Sequence, residues 1–199
     1  MLFRRRSVGA YTSLDDRFLP FGRRTGAGGL VLLRLPAGIT SDYERLYSMT
    51  NPSAFSLTAE ISALVTGAFD SGNVLLLAAV DRHHKPLLSF RGSTAVFSHT
   101  QLSFWARNAE GGTIDAIKDN PQVALMYRSP SVPLLQFAGR ARIIDAAVER
   151  ARVFNLSHEK EREKDPERKG RAVIIDLDEV KGVLGFGKDG PVFTHLVRG

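Results

Sequence analysis

Two short stretches hold the residues best suited to chemistry. In "SFRGST" (residues 89–94) Arg91 stands in an extended segment, and period-2 alternation puts Ser89 and Ser93 on its face. In "FWARNAEGGT" (104–113) Trp105 and Arg107 share a face. The chain then turns at Gly111-Gly112-Thr113 into a short amphipathic helix that stops at Asn120-Pro121. The first N–H groups of a helix lack intrahelical acceptors, so this helix start is a natural phosphate or carboxylate site. Glycine lets an anion approach the backbone closely, and a nearby arginine adds charge-assisted hydrogen bonds. A plainer reading stands beside this one, with Gly-Gly-Thr as loop and N-cap and Arg91 paired with a surface acid.

Other chemistries fail on their motifs. The chain has no Gly-x-Ser-x-Gly elbow, no His-Glu-x-x-His pair and no Walker A pattern. It has no cysteine, which excludes disulfides, thiolate metal sites and cysteine nucleophiles and fits a reducing cytoplasm. The glycines of "GAGG" (26–29) follow no strand pattern, so a dinucleotide fingerprint is unsupported. His83, His84, His99, His158 and His195 lack metal-ligand spacing. No catalytic residue and no metal site is assigned.

The elements that must position these residues begin near Thr58, which can cap a helix with Ile61, Leu64, Val65 and Ala68 on one face. Gly67, Gly72 and Asn73 mark its end. Extended segments follow at "VLLLAAV", "LLSFRGSTAVFS", "QLSFWA", "QVALMYR" and "LLQFAGRARIID", with Gly139 placed for a bulge. Residues 146–156 read as helix and the charged run 158–170 as a solvated loop or helix face. "RAVIIDLDEVKGVLGF" and "GPVFTHLV" complete six or seven short strands. That pattern predicts a closed, mainly β barrel with peripheral helices.

The first 48 of the 199 residues differ in kind, with eight arginines against four acids and no sustained period. They are read as an N-terminal extension, either preceding a natural start at Met49 or forming a basic arm that touches a partner. The domain proper is 49–199. Of the net charge of +6, the part carried by 49–199 is only +2, from 19 basic and 17 acidic residues. That near-neutral body, without interleaved basic and aromatic residues, argues against nucleic acid. No run approaches the roughly 18–20 apolar residues of a membrane span.

Residues 58–182 resemble the pyridoxamine 5′-phosphate oxidase-like, FMN-binding split-barrel proteins. The carrying stretches are "LTAEISALV", "VLLLAAVDRHHKPLLSFRGSTAVFS", "LSFWARNAEGGTIDAIKDNPQVALMY", "LLQFAGRARIIDAAVERARVF" and "DPERKGRAVIIDLDEVKG". The resemblance implies a six-stranded split β-barrel, a homodimer, and two flavin sites shared across its interface. It places the flavin phosphate among Ser89, Arg91, Ser93, Thr94, Arg107, Asn108, Gly111, Gly112 and Thr113, and the ring near Phe90 and Trp105.

Three departures separate the chain from the namesake oxidase. Gly112 and Thr113 stand where that enzyme has adjacent Arg and Lys. Leu134 replaces a strand glutamine, with Gln136 two positions later on the same face. "KDGPVFTHLVRG" offers only Arg198 for the C-terminal Trp and Arg cluster that holds the oxidase substrate. The expectation is therefore an FMN-binding oxidoreductase of another small-molecule substrate. Deazaflavin F420 and haem are alternative cofactors, haem requiring His83, His84 or His99 as axial ligand in a non-enzymatic binder.

Overall fold

The computed structural model describes residues 55–130 and 132–199; the extension 1–48 and its boundary at Met49 lie outside them. Helix α1 (Ala59–Thr66) begins at Thr58, whose side-chain oxygen accepts the Ile61 amide at 3.2 Å, and ends at Gly67. Strands β1 (Leu75–Val80), β2 (Pro86–Arg91), β3 (Ala95–Ser98) and β4 (Gln101–Ala106) follow. Next come α2 (Gly112–Asp119), β5 (Gln122–Arg128), β6 (Leu134–Ile144), α3 (Ala147–Leu156), α4 (Glu159–Arg162), β7 (Arg171–Gly187) and β8 (Gly190–Val197).

All strand pairs are antiparallel, in the order β2-β1-β5-β6-β7-β4-β3, with β8 added to β7. The architecture is mainly β with peripheral helices, as the alternation predicts. Two details differ from the sequence reading. There are eight strands among the described residues, and the ladder runs open from β2 to β3 rather than closing on itself.

The extra strand arises within "LLSFRGSTAVFS", which reads as one extended segment but breaks at Gly92–Thr94. The Thr94 amide and hydroxyl both donate to the Arg91 carbonyl, at 3.2 and 2.9 Å, closing a turn that competes with the strand. Gly92 lies in that turn, where a Cβ would come 2.9 Å from the movable end of the Glu161 side chain.

Strand β7 is the spine. Its first half pairs with β4, its second half with β8, and β6 runs along its other edge. Val173, Ile175 and Leu177 alternate into the core, but strict alternation would then turn Val180 outward. The register shifts where Ala138 and Gly139 face Glu179 and Leu177, leaving Asp178 as the extra residue of a bulge. That insertion returns Val180 to the core, opposite Phe137. Gly139 is required there because a Cβ would sit 2.2 Å from the Asp176 carbonyl oxygen.

The core gathers Leu75, Leu77, Phe104, Leu125, Leu135, Phe137 and Ile175 under α1 and α2. Behind β4 and the first half of β7, a second cluster of Phe97, Trp105, Val153, Phe154 and Ile174 forms under α3. Among the described residues the remaining outer face has no such cover. Phe90, Leu76, Met126, Gln136, Lys181 and His195 form one lateral row across it, and Leu88 to Val197 another. Leu88 is 67% exposed, Phe90 74% and Phe193 64%. A polar island interrupts this face, where Glu179 accepts from Lys181 and His195, each at 2.9 Å.

Gly139→Ala is expected to destabilise the fold by about 1–3 kcal/mol, the usual range for overpacking. Gly185→Ala, where a Cβ meets nothing within 4 Å, is expected to be nearly neutral. Urea unfolding of the two variants checks this, and equal costs would refute the close-approach argument.

Candidate functional site

Helix α2 is anchored by Ile114, Ala116 and Ile117, all buried in the core, which fixes where its N-terminus points. Gly111 (φ 75°) and Gly112 (φ 49°) make the turn into it through left-handed backbone that side chains disfavour. Beside that turn lies a cavity of about 440 Å³. Its wall includes Ser89 and Arg91 from β2, Arg107 and Asn108 after β4, and Glu110 with Gly111–Thr113 at the helix start. The strand end and the helix start that carry the sequence signal are thus neighbours in space.

Arg91 dominates the electrostatics. Its guanidinium lies 5.0 Å from the Phe104 ring centroid, and its Nη2 donates to the Thr113 hydroxyl oxygen. The Nε is buried with no hydrogen-bond partner, and among the described residues no carboxylate bonds the guanidinium. Burial, and then the charge of Arg107 beside it, lower the Arg91 pKa below the ordinary arginine value. Among the described residues Arg91 has no acid partner, as the plainer reading would require. An oxyanion entering this cavity would offer an acceptor to Arg91 and Arg107, relieve their mutual repulsion and meet the free amides of α2.

Other expected residues lie elsewhere. Ser93 is buried, its hydroxyl accepting from the Trp105 amide at 3.0 Å and donating to the Trp105 carbonyl at 2.9 Å. Thr94 serves the β2–β3 turn. Trp105, expected beside a flavin ring, is 4% exposed and faces away from the cavity into the α3 cluster. Phe90 and Gln136 sit on the outer face, in the same Phe90-to-His195 row. Exposed His83, His84 and His99 line neither this cavity nor the smaller cleft described below. No cluster of three or more metal-ligating side chains occurs among the described residues, and no helix there is long and apolar enough to cross a membrane.

Asp165 escapes sequence reading because it lies inside a run of charges that looks solvated. It accepts the Trp105 indole N–H at 2.8 Å and the Lys169 and Gly170 amides at 3.0 and 2.8 Å. Burial works against its ionisation, and these donors, with the charge of Arg150, more than offset that, so its pKa falls below the model-peptide 3.8. The available signal was local: an aspartate placed to take the amides four and five residues on.

No protein-family model matches the chain, and no curated protein matches it. Solved structures do. An FMN-binding protein from Syntrophomonas wolfei subsp. wolfei aligns over 73% of this chain and 97% of its own, at 10% identity and a TM-score of 0.54. HupZ of Group A Streptococcus aligns over 63% and 93%, at 17% identity and a TM-score of 0.50. A Clostridium acetobutylicum protein of the pyridoxinephosphate oxidase family aligns over 67% and 94%, at 8% identity and a TM-score of 0.47.

Because the Asp165 pKa is depressed on folding, its contribution to stability is present above pH 4 or so and is lost as pH falls through the folded-state value. The Tm gap between the natural protein and Asp165→Asn is therefore expected to narrow from pH 7 to pH 3. A constant gap in thermal melts would contradict the assignment. In architecture, the chain has the split-barrel fold seen in the Syntrophomonas FMN-binding protein.

Proposed function

We propose that the chain is an FMN-binding oxidoreductase that works as a homodimer on a small-molecule substrate in the cytoplasm. The observation that carries this reading is Arg91: a half-buried cation with an orphaned, buried Nε, facing a cavity at a helix N-terminus with Arg107 beside it. The donor set fits a phosphate monoester dianion. Two guanidiniums match its charge, and the glycine-lined turn leaves backbone amides within reach. Thr113, standing where the oxidase pattern has a cation, serves instead as the acceptor that orients Arg91.

Ser89, Arg91, Arg107, Asn108 and the amides of α2 would hold the phosphate. Bound FMN supplies the hydride or electron chemistry, and the protein's part is to bind and orient it. Ser93 and Thr94 support the loop that aims Arg91 rather than touching ligand. Nothing observed favours deazaflavin, and no histidine in the cavity wall supports haem. Turnover of pyridoxamine phosphate is not expected, since Arg198, the only C-terminal candidate, donates to the Leu177 and Thr100 carbonyls and covers the Phe55 ring.

The uncovered face around Leu88, Phe90, Met126 and Leu134 supports the dimer, since isolated monomers rarely expose so continuous an apolar surface. A second copy is the occupant expected from the split-barrel resemblance, and Phe90 and Gln136 then lie at the shared interface.

Arg91→Met is expected to weaken FMN binding by about tenfold to a hundredfold, the loss of a charged hydrogen bond, while Tm without ligand holds or rises. A structural ion pair would lose both. Unchanged affinity in a flavin-fluorescence titration would remove Arg91 from the site. Leu88→Glu combined with Phe90→Glu is expected to give monomers by light scattering; a dimer surviving both changes would place the interface elsewhere.

A further inference from the structure

A second cleft lies on the α3 side of β4, and the flavin reading makes no use of it. Its volume is about 150 Å³. Two aromatic rings wall it, Trp105 and Phe154, meeting edge to face with centroids 5.0 Å apart. A guanidinium covers each ring: Arg150 at 5.0 Å from the Trp105 centroid and Arg168 at 4.5 Å from that of Phe154.

Neither arginine is bonded to a carboxylate among the described residues. Arg150 uses Nη2 on the Arg168 and Gly170 carbonyls, the latter at 2.8 Å, while its Nε is buried without a partner. The Arg168 guanidinium makes no hydrogen bond among the described residues, and its backbone is held in the left-handed region at φ 55°. Asp165 has its carboxylate committed to the Trp105 indole and to the Lys169 and Gly170 amides. That carboxylate builds the loop carrying Arg168 and hydrogen-bonds neither guanidinium.

Charge decides the ligand class: two guanidiniums face a cleft of about 150 Å³ with no carboxylate in its wall among the described residues. A tetrahedral oxyanion fits that space. We propose that this cleft is a second, independent anion site, taking a phosphate group, either free or at the end of a small monoester, between Arg150 and Arg168.

Trp105 is the only tryptophan in the chain and forms one wall, so its fluorescence reports this cleft directly. The test titrates the full-length protein with orthophosphate, and separately with glycerol phosphate, at ionic strength held constant with chloride. At least one of the two is expected to give a saturable change: orthophosphate alone identifies the free anion, and tighter glycerol phosphate identifies the ester. Arg168→Gln, an exposed change, is expected to weaken that binding about tenfold or more. The same curve is expected from Arg91→Gln, which disables the first cavity and so separates the two sites. No saturable change with either phosphate, a curve unaltered by Arg168→Gln, or a curve abolished by Arg91→Gln would each overturn the proposal.

Discussion

One strand, β7, is shared between two differently buried halves of the sheet, and everything else is arranged around that sharing. Its first half is sandwiched between the main core and α3, so it is apolar on both faces. Its second half is covered on one face only. The single inserted residue at Asp178 lets one chain satisfy both conditions, because it resets the alternation between Leu177 and Val180. Strand β4, pinned along the first half, inherits the same two-sidedness. Phe104 faces the core and lies beneath Arg91, while Trp105, the next residue, faces α3 and lies beneath Arg150. Alternation along one strand thus serves two arginine-bearing clefts on opposite faces.

The first cleft is costly for the protein without ligand. Burying a guanidinium with an unmet donor opposes folding, and a second guanidinium nearby adds repulsion. A core built for stability alone would not keep that arrangement. The Phe104 face and the Thr113 hydroxyl hold the charge in place without neutralising it, which leaves its electrostatic need to a ligand. This combination of fixed orientation and unmet charge distinguishes Arg91 from the many surface arginines that pair with nearby acids, such as Arg171 with Asp145.

Much of the frame was legible because its signals are local or periodic. The Thr58 cap, the helix before Asn120-Pro121, the Gly139 bulge and the α3 helix all follow from residue type and spacing, and the fold shows each of them. The pairing of Arg91 with the α2 start was half legible: each piece carried its own signal, but only the β4 path brings them together. What could not be read depends on long-range placement. Strand alternation put Trp105 on the Arg107 face, yet the strand ends at Ala106 and the two side chains part there. Asp165 looked like one more charge in a solvated run, since nothing local reveals that an indole sixty residues away will meet it. Open ladder ends likewise leave no local mark, since the edge strands β2 and β3 alternate as inner strands do.

The central claim is that the cavity beside α2 grips a flavin through its phosphate. Parallel titrations with FMN and with riboflavin, which has the same ring and no phosphate, test it most directly. Two or more charged hydrogen bonds predict that FMN binds at least about a hundredfold more tightly. Equal affinity for the two flavins would contradict the account.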